Sequence, residues 1–273
     1  MIVGVGLLGG SIGFALRQAG LAREVIGVGR PGKPPEAAVT IGAIDRAESE
    51  IALASVDADL VICCAPVQQI PELVGQCAAV MRPDGLITDV GSTKRSIVET
   101  IVREFPQAPF VGSHPLAGGT GSGVEHARPD LLDGTLVVVV PIDSTPVDRL
   151  DRVERFWHSL GAQTMQLSPA AHDEALAQTS HLPHIVAAAL AASTAPSLLP
   201  LTASGWRGTT RIAKGNAQLW RQILEENRLP ALQALRNFGK VLQQWQAALE
   251  CDDGEQLEQL LEAGKATRDS LGS

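Results

Sequence analysis

The chain is short of positive charge, with 22 Lys and Arg against 30 Asp and Glu in 273 residues and a formal net charge of -8. Nucleic acids and anionic membranes want a basic face, so this balance excludes both as partners and leaves a small-molecule substrate. If that substrate is an anion, a local cluster of cations has to bind it, because the global field repels it. Cysteine is also scarce. Cys63, Cys64, Cys77 and Cys251 form no C-x-x-C pair and none lies near histidine at metal-ligand spacing. This excludes a disulfide frame and a metal site, and reads as reduced thiols in a cytoplasmic protein. Long uninterrupted apolar runs are missing too. Residues 1–19 are apolar but lack a basic leader and are punctuated by Gly4, Gly6, Gly9, Gly10 and Gly13, which argues against a secretory signal. Residues 185–201 are broken by Ser193, Thr194, Pro196, Ser197 and Pro200, well short of a membrane span.

What is present falls into two halves. Short β-branched runs at residues 1–5, 24–28, 59–64, 86–90, 109–111, 135–140 and 163–167 alternate with amphipathic stretches, the pattern of a doubly wound parallel sheet. From Pro169 the strand signal vanishes, and Leu224, Leu232, Leu235, Phe238, Leu242 and Trp245 recur at helical spacing. The expected domains are therefore an α/β unit over residues 1–168 and an all-helical unit over residues 169–273. Residues 185–195 are apolar on every side, which suits burial on all faces. A dimer built around this helix explains it, as does a central position in a monomeric bundle.

The sequence Gly4-x-Gly6-x-x-Gly9 follows the first strand and opens a helix through Leu7 and Leu8. In this setting the three glycines make a tight turn, admit a pyrophosphate to the backbone and pack helix on strand, while the helix N-terminus supplies N–H donors. A glycine-rich structural turn is the plainer reading; strand before, helix after and a second strand at 24–28 favour a dinucleotide. An acid about twenty residues beyond the last motif glycine would take the ribose hydroxyls of NAD. This chain has Gly29 there, followed by Arg30 and Lys33, so a 2'-phosphate has room and a cation to pair with. That favours NADP over NAD, although Pro31, Gly32, Pro34 and Pro35 also allow Arg30 to be a solvated loop charge.

Ligands of an open α/β sheet gather at the carboxyl ends of its strands. There the chain has Ala65-Pro66, Asp89-Val90-Gly91-Ser92-Thr93-Lys94 and Gly112-Ser113-His114-Pro115. His114, expected just after a strand, is a candidate general base near neutral pH. Ser92 can bond the same substrate oxygen or cap the helix expected to start near Thr93. The helical half adds His181, His184, Arg207, Arg211 and Trp220. Arg211 suits a carboxylate, with His181 or His184 assisting, whereas Arg207 and Trp220 read equally well as packing or surface residues.

On these stretches the chain resembles the prephenate/arogenate (cyclohexadienyl) dehydrogenase family over nearly its whole length. The resemblance rests on residues 5–11, 88–94, 114–118 with 122–125, Ser180-His181-Leu182-Pro183-His184, and Thr210-Arg211-Ile212-Ala213 with Leu219-Trp220-Arg221. It implies a Rossmann-type domain followed by a helical dimerisation domain like that of 6-phosphogluconate dehydrogenase. It also implies an NAD(P)-dependent oxidation and decarboxylation of prephenate or arogenate on the way to tyrosine, in a cytoplasmic homodimer. His114 is then the residue at the ring hydroxyl, Ser92 its helper and Arg211 the carboxylate ligand, with one of His181 and His184 lining the pocket. Gly4, Gly6, Leu7, Leu8, Gly9, Gly29, Arg30, Ala65, Pro66 and Asp89 would line the cofactor. Two positions depart from the family pattern: Thr120 stands where many prephenate-using members have Glu, and Gly208 where an Asp can orient the arginine. Two rivals remain. A β-hydroxyacid dehydrogenase would use a lysine, for which Lys214 is the candidate, and a non-catalytic NADP sensor would keep the glycines but need no base.

Overall fold

A computed structural model describes residues 1–119, 121 and 123–271. The first half runs β1 (Ile2–Val3), α1 (Leu7–Gln18), β2 (Ile26–Val28), α2 (Glu36–Thr40), β3 (Arg46–Glu48), α3 (Ile51–Ser55), β4 (Leu60–Cys63), α4 (Ile70–Ala78), β5 (Leu86–Asp89), α5 (Arg95–Glu104), β6 (Gly112–Pro115), β7 (Leu136–Val140), α6 (Val147–Ser159) and β8 (Gln163–Gln166). Five parallel strands lie in the order β3-β2-β1-β4-β5, so the chain reverses its winding at β1 and β4. Period-two alternation divides the strand residues between the two faces. Ile2, Ile62 and Leu86 point into one apolar cluster with Ile12, Leu132 and Trp157. Val3, Val61, Cys63 and Ile87 point into the other with Val74 and Ile97.

The sheet departs from the expected pattern in two places. β3 was not expected; it is a short outer strand of Arg46, Ala47 and Glu48, whose charged side chains suit a sheet edge and give no apolar alternation to read. The strand expected at 109–111 makes only a parallel bridge between Phe110 and Ile87, and the true strand is β6, paired antiparallel to β7 with His114 opposite Val138. His114 is thus inside a strand and not just after one. β7 then pairs parallel with β8.

The helical half comprises α7 (Pro169–Leu176), a π-helical turn (Ala177–His181), α8 (Leu182–Ser193), α9 (Ser204–Thr210), α10 (Ala217–Glu226), α11 (Arg228–Glu250) and α12 (Gly254–Asp269). Ser168 caps α7 by accepting from Ala171 N–H, and Pro169 occupies the first turn, where no intrahelical donor is needed. Pro183 similarly lacks the N–H that would continue an α-helical ladder, and the wider π turn lies directly before it. α8 buries only His184 and Ala187, and Leu190 is exposed on it. The central helix of a monomeric bundle is thereby overturned as an account of its apolar surface. Among the described residues no helix is long and apolar enough to cross a membrane, and no cluster of residues could hold a metal.

Candidate active site

The glycine turn has the shape a dinucleotide needs. Gly4 has φ +91°, and a Cβ there would lie 2.4 Å from the Cys64 carbonyl oxygen; a Cβ on Gly9 would lie 2.2 Å from the Gly4 carbonyl oxygen. A side chain at either position would force the β1 turn away from the end of β4 or lift α1 off the strand. Around Gly6, by contrast, nothing lies within 4 Å of the equivalent point, so the backbone at the N-terminus of α1 is open to an approaching phosphate. No acid stands in the first turn of α1 to compete for its donors. The end of β4 brings Ala65 and Pro66 alongside, and the loop after β6 reaches the same turn, where a Cβ on Gly119 would sit 3.6 Å from the Leu7 side chain. The residues present therefore fit a dinucleotide. Arg30 and Lys33 face each other across a tight exposed turn, closed by Lys33 N–H donating to the Arg30 carbonyl at 2.8 Å.

Beneath β6 lies a polar core. Lys94 is fully buried and its ammonium pairs with the equally buried Asp89, also donating to the Ser113 carbonyl at 3.0 Å. Asp89 further accepts from Ser113 N–H at 3.0 Å and Gly91 N–H at 2.8 Å. The expected cofactor role of Asp89 therefore meets a correction of geometry: its carboxylate is spent inside the protein, bracing β5 against β6. His114, half-buried above this brace, has Nδ1 2.9 Å from His172 Nε2. His172 is fully buried and Nδ1 lies 2.7 Å from Asp173 Oδ1. Asp173 Oδ1 accepts from Lys94 N–H at 2.8 Å and Oδ2 from Arg95 N–H at 3.0 Å, so a carboxylate of the helical half caps α5. This overturns Ser92 as the cap: α5 starts at Arg95, and Ser92 stays half-buried in the preceding loop.

The contacts continue into the helical half. Asn227 Nδ2 donates to the Asp173 carbonyl at 2.7 Å and to His181 Nδ1 at 3.1 Å. The His181 ring meets Trp220 edge-on, and His184 stacks on Trp220 at 3.6 Å between centroids. His184 Nδ1 is buried with no hydrogen-bond partner among the described residues. Burial holds the His114 pKa well below the usual histidine range, and the neighbouring His172 ring, Lys94 ammonium and His181 ring act in the same direction. Burial also lowers His181 to about 4 and pushes His184 down. Burial alone would raise Asp173, but hydrogen bonds from His172 and from the Lys94 and Arg95 N–H groups outweigh it and lower its pKa. The site therefore offers neutral imidazoles and an ionised aspartate at neutral pH.

Two family models match the chain in succession, the prephenate dehydrogenase nucleotide-binding domain over residues 12–166 and the prephenate dehydrogenase dimerization domain over residues 168–263. The chain belongs to the prephenate dehydrogenase family. It is 32% identical over 280 residues to the prephenate dehydrogenase of Bacillus subtilis, covering 99% of this chain and 75% of that protein. It superimposes on the A. aeolicus prephenate dehydrogenase bound to hydroxyphenyl propionate and NAD+ with a TM-score of 0.91 at 32% identity, covering 99% and 96% of the two chains. The Synechocystis arogenate dehydrogenase is similar as well, with a TM-score of 0.84 at 29% identity over 99% and 98% of the chains. Like its family, the chain is an NAD(P)-dependent oxidoreductase with a nucleotide-binding sheet domain and a helical dimerisation domain.

Within this prephenate dehydrogenase relative, one run of contacts joins His114, His181, His184 and Trp220. Arg211 stands apart on an exposed 3-10 turn (Arg211–Lys214) that packs against α8, with no ion pair among the described residues. Thr120 lies outside the described residues. Sequence reasoning missed His172, Asp173, Asn227 and the structural role of Lys94. An adjacent His-Asp pair in the first turns of a helix was the available signal for the first two, because a histidine base commonly leans on a second group that fixes its tautomer. Asn227 carried no such signal, since its partners come from 46 and 54 residues away.

Proposed function

We propose that this chain converts prephenate to 4-hydroxyphenylpyruvate with loss of CO2, using residues 1–168 for the dinucleotide and residues 169–273 for substrate and for pairing into a homodimer. The observation that carries the reading is His114: a half-buried neutral imidazole with Nδ1 engaged and Nε2 without a partner among the described residues, on the strand whose following loop reaches the glycine turn. A bound nicotinamide supplies the hydride acceptor. His114 takes the proton of the ring hydroxyl as that carbon is oxidised, with Ser92 bonding the same oxygen. The C–CO2 bond then gives its electron pair to the ring, and His114 returns the proton to the emerging phenolate oxygen. Arg211 holds carboxylate oxygens; His184, stacked on Trp220, and His181, whose Nδ1 is taken by Asn227, shape the pocket wall.

Likeness to the Synechocystis enzyme supports L-arogenate as the second reading. Lys214, the lysine a β-hydroxyacid dehydrogenase would need, is exposed at the end of its 3-10 turn, outside the His114 network. His114 and its buried partners also argue against a mere sensor, which needs no base. NADP is the proposed preferred cofactor, on the strength of Gly29 and Arg30. Steady-state rates with prephenate and arogenate, each with NAD+ and NADP+, test the reading. Prephenate-dependent reduction that falls about 10²- to 10⁴-fold in His114→Ala is the expected result. Turnover of neither substrate, or an unchanged rate in the variant, would overturn it.

A further inference from the structure

A general base works only if its lone pair faces the substrate, and an imidazole has two tautomers that exchange freely unless something selects one. The His114 network contains a selector. An ionised carboxylate can only accept, so Asp173 requires the proton of His172 to sit on Nδ1. In a His172 that carries this proton alone, Nε2 is an acceptor, and at 2.9 Å it requires the His114 proton to sit on Nδ1. The choice propagates in one direction only, because the carboxylate at the far end has no alternative role. Asp173 cannot rotate out of it: its two oxygens are separately held by the Lys94 and Arg95 N–H groups at the start of α5, whose dipole also favours the charge.

We propose that His172 and Asp173 are positioning residues through which the helical half sets the protonation site of His114, leaving Nε2 as the lone pair offered to the substrate hydroxyl. The proposal rests on His114 being the base, as argued above. No proton passes along the chain. When His114 Nε2 takes the substrate proton, Nδ1–H already donates to His172, so the imidazolium forms without rearrangement of its neighbours. Since base and selector belong to different halves of the molecule, the sheet half carries a histidine whose chemistry depends on the docking of α7 against α5.

The experiment uses the full chain labelled with 15N-histidine, which has six histidines to resolve. His114 is assigned by the signal lost in His114→Gln, and long-range proton–nitrogen correlation reads its tautomer. The expected result is Nδ1–H with Nε2 unprotonated at neutral pH. His172→Leu should move the proton to Nε2 and lower kcat by about 10²- to 10⁴-fold with KM within a few-fold. His172→Gln, whose amide oxygen can again accept from His114, should recover at least about tenfold of the loss. A His114 found as Nε2–H in the unmodified protein overturns the proposal whatever the variants do. So does a folded His172→Leu protein with unchanged kcat. If the unmodified chain turns over neither prephenate nor arogenate, the functional reading fails, and the tautomer spectrum still decides the relay by itself.

Discussion

The two halves of the chain are stabilised in different ways. Residues 2–162 supply every buried member of the three apolar clusters, so the sheet half holds itself together by packing on both faces. The helical half buries few apolar side chains, mainly alanines of α11 with Leu176 and Ile223, and leaves Leu190, Leu229, Leu242 and Leu249 exposed. Its ordered interior is polar instead: His172, Asp173, His181 and Asn227 are all buried and bonded to one another. The difference teaches that the helical half uses burial for the active site and leaves much of its apolar surface for a second copy. The sheet half has a polar exception of its own, the buried Lys94–Asp89 ion pair with Ser113 and Thr88 bonded around it, which lies where the two halves meet.

That exception gives the largest expected effect. Lys94→Met would leave the Asp89 carboxylate buried without its counter-ion, and breaking a buried pair costs about 3–5 kcal/mol. Urea unfolding should register it. Removing Arg221 from its exposed pair with Glu225, 3.8 Å apart in the helical half, should cost no more than about 0.5 kcal/mol. A Lys94→Met protein as stable as the parent would show that the brace under His114 is not what holds β5 to β6.

The polar interior of the helical half predicts acid sensitivity. His181 is lowered from 6.5 to about 4, mainly by burial, and His114 lies well below the usual range for the same reason. In the unfolded chain both take up protons near pH 6.5, so their contribution is complete above that pH and is lost as pH falls toward 4. For His181 the loss is about 3 kcal/mol. Urea midpoints at pH 7, 5.5 and 4 should fall steadily, and a midpoint flat across that range would mean these histidines are not buried neutral.

Exposed apolar surface separates the halves again. Leu190→Glu on α8 should weaken self-association by about 2 kcal/mol or more, roughly a thirty-fold rise in the dimer dissociation constant by sedimentation. Leu53→Glu on α3, where the leucine is 71% exposed, should change nothing. Equal effects from both would remove the distinction between a surface kept for a partner and ordinary surface leucine.

Legibility in the sequence follows the same division. Alternating apolar runs revealed six of the strands and the glycine turn because local pattern determines them. β3 escaped because an edge strand of Arg46, Ala47 and Glu48 has no buried face, and β6 was placed three residues early because Phe110 and Val111 look more strand-like than Gly112 and Ser113. The site was legible where a residue type announces its chemistry, as His114 does, and illegible where it depends on a partner far along the chain. Asp173 lies 79 residues from the Lys94 N–H it accepts from, and Asp89 was read as a cofactor ligand because nothing local shows Lys94 folding back onto it.

The smallest effect concerns the part of the site outside both interiors, the turn of Arg30 and Lys33. The obvious substitution, Gly29→Asp, is a poor probe of cofactor choice: a Cβ there would lie 2.1 Å from the Lys33 carbonyl oxygen and 3.1 Å from Pro35 Cδ, so the variant would displace the very turn it is meant to test. Arg30→Ala leaves the backbone alone and removes only the charge. A charge-assisted bond to a phosphate contributes about 1.5–3 kcal/mol, and an exposed arginine belongs at or below the lower end, so KM for NADP+ should rise about tenfold. KM for NAD+, which has no 2'-phosphate, should stay within twofold, and the rise for NADP+ should shrink as salt is added. Equal changes for both cofactors would mean that Arg30 supports the turn and does not read the phosphate, and the preference for NADP would lose its basis.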